Sequence, residues 1–163
     1  MKPTISAEEV ALALDLERLS GEGGFYRRTW SSPLSIDGRS CGSAIYYLLA
    51  EGPEGFSAFH RLKTDELYHF YRGDPVELHL FRRDGSYDLI RLGPEFEKGQ
   101  LPQALVPALA AQASRLVPGG RWALLGTTMA PAFVPEDFTL LDRAELCAAH
   151  PGQVAIIDAL TRG

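Results

Sequence analysis

Hydrophobic and polar positions change rhythm twice along this chain. Near the start, Val10, Leu14, Leu16 and Leu19 recur at close to the helical period. Ser6 followed by Glu9 has the spacing of a capping box, so the pattern predicts an amphipathic helix over residues 7–19. The "SGEGG" at residues 20–24 ends it.

From about residue 23 to 134 the texture becomes that of strands: short runs rich in Tyr, Phe, Leu and Val, separated by Gly, Pro and Asp. The runs cover residues 25–30, 43–49, 57–62, 66–72, 76–81, 87–92, 103–107, 113–117 and 122–129. "GDP" at residues 73–75 and "RDGS" at 83–86 supply turns, the second an Asp-Gly hairpin signal. Over about residues 139–162 helical periodicity returns, with Asp142 as N-cap and Pro151-Gly152 between two short helices. So many short strands predict a sandwich or closed barrel, because one open sheet would leave a face and two edges uncovered.

With 45% hydrophobic residues in 163, the chain is expected to form a single domain over residues 1–163 with a sizeable core. Its 16 Lys and Arg are interspersed among 21 Asp and Glu for a net charge of −5, which argues against a nucleic-acid partner. The start lacks the cationic flank and apolar run of a secretory signal, and no apolar stretch reaches the roughly 18 residues of a membrane span. A cytoplasmic protein without a membrane partner is the expectation. Cys41 and Cys147 have no metal-type spacing and are read as reduced, mostly buried thiols.

Candidate chemistry gathers in "FHRLKTDELYHFYRG", residues 59–73. Alternation places His60 and Leu62 on one face of a strand, and Glu66, Tyr68 and Phe70 on one face of the next. A hairpin turn at residues 63–64 would bring His60 and Glu66 together. His69 falls on the opposite face from Glu66 and is expected to pack outside. In "VELHLF", Glu77 and His79 share a face opposite Val76, Leu78 and Leu80, and that face suits a wet pocket if it points inward. "GGFYRRTW" can deliver Arg27 or Arg28 to an anionic ligand, or make an edge strand with salt bridges. Trp122, Phe133 and Phe138 read as core anchors. For His60 the ordinary alternative is a satisfied barrel histidine, and for Glu66 a rim ion pair with Arg61 or Lys63.

The spacing of His60, Leu62, Glu66 and Gly73 matches the first cupin motif, HxH-x3-E-x6-G, with leucine at the second histidine. Pro107, Leu109 and Gln112 fall on the second motif, PxGxxH, with Leu109 in place of the glycine and Gln112 in place of the histidine. More narrowly, "GGFYRRTW", "SAIYYLL", "FSAFHRLKTDELYHFYRGDPVELHL", "LGPEF", "PQALVPA", "WALLGTTMAPAF", "DF" and "LTR", in order from Gly23 to Arg162, resemble the Cupin_5 family, formerly DUF985.

The resemblance implies a mainly β cupin jelly-roll barrel with flanking N- and C-terminal helices, a homodimer, and a small-molecule pocket in the barrel's mouth. Relatives of that fold include sugar-nucleotide epimerases and seed-storage proteins, so the fold alone does not name a reaction. The favoured expectation is binding of a small polar, sugar-like or keto ligand, with isomerase or epimerase chemistry. His60 would be the base, paired with Glu66, and Tyr46, Tyr47 or Tyr68 the opposing acid; Lys63 or Arg27 would stabilise an enolate. Glu77, His79 and Gln112 complete the expected ligand contacts.

No cofactor is favoured, because the cupin ligand positions are one imidazole short of two His and a carboxylate. The alternative is a metal-dependent oxygenase or other metalloenzyme, with a divalent transition metal on His60, Glu66 and His79. A third reading is a ligand sensor or storage-like module without catalysis.

Overall fold

The computed structural model describes residues 5–53 and 55–162. Ser6 caps the first helix as its spacing predicts: Ser6 Oγ accepts from the Glu9 amide at 3.2 Å, and Glu9 Oε2 accepts from the Ser6 amide at 2.7 Å. The helix α1 (Ala7–Ala13) is shorter than the predicted 7–19, because Asp15 adopts a left-handed φ of 52° and Glu17–Arg18 leaves as a short strand, β1.

Two sheets follow. One runs β1, β2 (Phe25–Ser31), β5 (Ser43–Ala50), β12 (Trp122–Met129), β7 (Glu66–Gly73) and β10 (Gln103–Val106) in spatial order. The other runs β13 (Phe138–Leu140), β6 (Ser57–Leu62), β11 (Ala111–Leu116), β8 (Val76–Phe81) and β9 (Tyr87–Leu92). All named pairings are antiparallel. The sheets face each other without closing into a barrel, so the expected jelly roll takes the sandwich form, one of the two arrangements that so many short strands predict. A two-strand ribbon of β3 (Ser35–Ile36) and β4 (Arg39–Ser40) turns on Asp37-Gly38, both with positive φ.

Between the sheets lie Tyr47, Leu49, Tyr68, Leu78, Leu80 and Leu125, all buried, which is the inward half of each alternation. The outer face of the second sheet buries Phe59, Phe81 and Ala113 beneath Leu146 of α2 (Arg143–Ala149) and Ile157 of α3 (Val154–Ala159). Asp142 Oδ1 caps α2 by accepting from the Glu145 amide at 3.0 Å. On the outer face of the first sheet, α1 sets Val10 against Leu48 and Trp122. The predicted C-terminal helical region of about 139–162 therefore begins later than expected, since Phe138–Leu140 is a strand pairing with β6. Cys41 and Cys147 are free and only partly buried. No helix among the described residues is long and apolar enough to cross a membrane.

The chain crosses between sheets twice, at residues 63–65, where the sequence suggested a hairpin, and at the turn around residues 73–75. β6 and β7 belong to opposite sheets, and so do β7 and β8. Gly73, the last residue of the first cupin motif, makes the second crossing possible: its φ is 109°, and a Cβ there would stand 2.3 Å from the Trp122 carbonyl oxygen. By contrast, "RDGS" does form the expected hairpin, joining β8 to β9.

Candidate active site

A cavity of about 590 Å³ opens between the sheets at one end. Alternation selects its wall: Tyr26 and Arg28 from β2, Ile45 and Tyr47 from β5, Thr127 and Met129 from β12, and Glu66 and Tyr68 from β7. His60 and Leu62 of β6 face them from the other sheet, and the segments holding Leu19 to Glu22 and Phe133 to Pro135 close the rim. His60 and Glu66 thus share one cavity as expected, by facing each other across the sandwich rather than along a hairpin.

His60 is buried and fixed in orientation. Its Nδ1 lies 2.8 Å from the Ala58 carbonyl oxygen, and its ring stacks on Phe138 at 5.1 Å between centroids. A carbonyl only accepts, so Nδ1 carries the hydrogen and the neutral ring keeps its lone pair on Nε2. The nearest carboxylate is Glu22, whose Oε1 is 4.0 Å from His60 Nδ1 and accepts from Ser57 Oγ at 2.7 Å. Glu22 sits inside "SGEGG", where its acidic side chain was hidden in a segment legible only as a helix terminator.

Glu66 is tied from behind. Gln112 Nε2 donates to Glu66 Oε2 at 2.9 Å, and Gln112 Oε1 accepts the Tyr68 hydroxyl at 3.0 Å. Burial pushes the Glu66 pKa up; the nearby His60 opposes that shift and the Glu22 charge adds to it. Burial likewise raises the pKa of Tyr68 and of Tyr47 well above the ordinary tyrosine value, with Glu66 and Glu22 respectively the next cause. Tyr47 donates its hydroxyl to the Gly23 carbonyl at 2.7 Å, and burial, then the Glu17 charge, raise the Tyr26 pKa. The Tyr47 bond needs a glycine next door: Gly24 has φ 77°, and a Cβ there would lie 2.8 Å from the Tyr47 oxygen.

Several predicted residues lie elsewhere. Arg27 and Tyr46 are on the outer face of the first sheet, where Arg27 Nε donates to the Leu14 carbonyl at 2.7 Å and its guanidinium covers the Tyr46 ring at 5.6 Å. Arg28 takes the cavity position instead, exposed at the mouth, with Nη2 donating to the Phe133 carbonyl at 3.1 Å. Lys63 is exposed on the inter-sheet crossing and does not line the cavity. Glu77 and His79 do share a face, but it points away from the cavity, because Val76, Leu78 and Leu80 claim the interior. There Glu77 Oε2 accepts from Arg115 Nε at 3.0 Å, and His79 Nδ1 pairs with the Tyr87 hydroxyl at 2.8 Å. His69, as expected, packs outside, between Thr128 and Gln103.

This donor set does not fit the metal that the cupin motif implies. His79 is on the opposite face from His60 and Glu66, Leu62 has no lone pair to give, and both ends of the Gln112 amide are engaged by Tyr68 and Glu66. Among the described residues no group of three or more His, Cys, Asp or Glu converges as a metal site. The expected set of His60, Glu66 and His79 is therefore not formed. Leu109, at the glycine position of the second motif, nevertheless keeps a left-handed φ of 68°.

Comparison with known proteins supports this fold. The crystal structure of protein SO0799 from Shewanella oneidensis is 32% identical with a TM-score of 0.90, covering 98% of this chain and 99% of that one. A hypothetical protein from Leishmania major is 27% identical with a TM-score of 0.89 over 98% of this chain and 100% of that one. Bacillus subtilis oxalate decarboxylase is 13% identical with a TM-score of 0.58, matching 90% of this chain and 37% of that chain, a likeness of fold alone. No curated protein matches the sequence. The model of the Cupin_5 family, described as Cupin superfamily (DUF985), matches residues 8–141, and the chain belongs to that family.

Proposed function

We propose that this cupin binds a small hydroxylated ligand in the cavity between its sheets, using His60 Nε2, Glu22 and Glu66 as hydrogen-bond acceptors. One observation carries the reading: the hydroxyl and amide donors closest to His60 and Glu66 are already spent on the protein itself, while Arg28 keeps its guanidinium at the mouth. The Tyr47 hydroxyl goes to Gly23, the Tyr68 hydroxyl to Gln112, the Gln112 amide to Glu66 and the Ser57 hydroxyl to Glu22. What remains for a ligand is an acceptor-rich surface, so the ligand supplies the donors, as hydroxyl groups do. Leu19, Ile45, Leu62 and Met129 offer apolar wall for its carbon skeleton.

Proton transfer is the second reading, favoured by the raised pKa of Glu66 opposite an oriented imidazole. His60 Nε2 would take a proton from the carbon next to a carbonyl, and protonated Glu66 would hydrogen-bond the developing oxyanion and return a proton. Tyr68 is the weaker choice of acid, since its hydrogen points at Gln112. Deuterium incorporation from D2O into keto sugars, followed by NMR, tests both readings together with calorimetric binding. Exchange that disappears in His60→Gln supports catalysis. Binding without exchange leaves a ligand sensor, and absence of binding by every polyol and keto sugar tried would sink the proposal.

A further inference from the structure

The cavity has a charge preference as well as a hydrogen-bonding one. Glu22 and Glu66 both face it, with side chains 15% exposed and largely buried respectively. Among the described residues neither is paired with a lysine or arginine side chain. Arg28 is exposed at the mouth and turned to the Phe133 carbonyl. Arg162 directs its guanidinium to the main-chain carbonyls of Glu22, Pro53 and Phe56. His60 has Nδ1 committed to Ala58.

We infer that the ligand carries a primary ammonium group on a hydroxylated skeleton, as an amino sugar or amino alcohol does, and that the ammonium sits between Glu22 and Glu66. The inference rests on the reading that this cavity binds a small hydroxylated molecule. Two carboxylates sharing a largely enclosed space repel each other, and a cation between them relieves that repulsion while satisfying their free lone pairs. Glu22 Oε2 has no hydrogen bond among the described residues and is open to such a donor. The aromatic wall adds to the preference: the rings of Tyr26, Tyr47 and Tyr68 line the same space, and aromatic rings attract cations, while Phe138 is already stacked on His60 and Phe133 lies beneath Arg28. A bare metal ion suits the cavity poorly, since about 590 Å³ with apolar walls calls for carbon as well as charge. Burial pushes the Glu66 pKa up first and the Glu22 charge adds to it; that second contribution has the same physical origin, and a bound cation would oppose it.

The test is titration calorimetry on the full chain at pH 7.5 with matched pairs: glucosamine against glucose, and 4-amino-1-butanol against 1,4-butanediol. The amine of a pair should bind at least about tenfold more tightly than its neutral partner. Glu22→Gln, which keeps an oxygen for Ser57 Oγ, should bring the two within about twofold. A measurement needing no variant is the parent's pH profile: amine affinity should fall as pH drops through the Glu66 titration while that of the neutral partner does not. Equal binding within pairs, or an amine preference that survives both Glu22→Gln and Glu66→Gln, overturns the ammonium inference and leaves the hydroxylated-ligand reading intact. Failure of both members of both pairs to bind overturns the two together.

Discussion

The side-chain amide of Gln112 bridges Glu66 and Tyr68, donating to one at 2.9 Å and accepting from the other at 3.0 Å. In the cupin pattern that position holds a metal-binding histidine. Here it holds a neutral group with one donor end and one acceptor end, and each end meets its complement.

Removing the bridge should be costly. Gln112→Leu leaves the buried Tyr68 hydroxyl without its acceptor and Glu66 without its donor, and should lower stability by about 2 kcal/mol or more in urea denaturation. A change below about 0.5 kcal/mol would mean that water replaces the amide at no loss.

The missing ligands can be put back. The double variant Leu62→His with Gln112→His places two imidazoles beside His60 and Glu66, and it should take up manganese or nickel near one ion per chain by elemental analysis. The parent, purified without nickel resin and incubated with the same ions, should retain well under half an ion per chain. Stoichiometric metal in the parent would refute the reading of Leu62 and Gln112 given above.

Two buried groups give stability opposite pH slopes. Burial lowers the His79 pKa to about 4, with Glu77 opposing, so the unfolded chain binds the proton more readily. The stability this contributes is present above the ordinary histidine value of about 6.5 and is lost as pH falls towards 4. The loss should be on the order of 2–3 kcal/mol and should largely vanish in His79→Gln. Glu66 works the other way: its raised pKa means stability is fully present below the ordinary glutamate value and falls as pH rises through its folded titration. Glu66→Gln should therefore equal or exceed the parent in stability at pH 7.5, with the margin narrowing towards pH 4. Urea denaturation across that range checks both.

Leu109 pays for the backbone of a motif whose glycine it has lost. Its φ of 68° is strained for a leucine, and the side chain is only partly covered, 36% exposed. Leu109→Gly should raise stability by up to about 1 kcal/mol, read as a higher melting temperature. A lower one would show that the leucine's contacts outweigh the strain.

Much of the sandwich was legible because period-two alternation is a local property. The runs that became β2, β5, β6, β7, β8, β9 and β12 fall within a residue or two of their observed bounds. Alternation also grouped Glu77 with His79 correctly. It could not say which face of β8 turns inward; Arg115, far along the chain, and Tyr87, across the β8–β9 hairpin, decide that by covering the polar pair. Arg27 and Arg28 show the same limit from the other side: adjacent residues must take opposite faces, and only the pairing of β2 with β5 selects Arg28 for the cavity. His60 and Glu66 met as foreseen, but through an inter-sheet crossing, because a two-residue hairpin and a sheet-to-sheet step look alike in "KT". Glu22 was invisible for a different reason, since no periodicity extends into a glycine-rich loop. The strand at Phe138–Leu140 was lost in helical texture because its partner, β6, lies far away in the chain.

The cavity wall is drawn from both halves of the sandwich, with β6 on one side and β2, β5, β7 and β12 on the other. A molecule held there acts as a clamp across the two layers and binds only the chain in which they are already docked. Occupancy is then inseparable from resistance to melting: at a hundredfold excess over its dissociation constant a ligand adds about 2.7 kcal/mol to the folded state. A collection of amines and polyols ranked by the melting temperature they confer would therefore report on the cavity without any assay for a reaction.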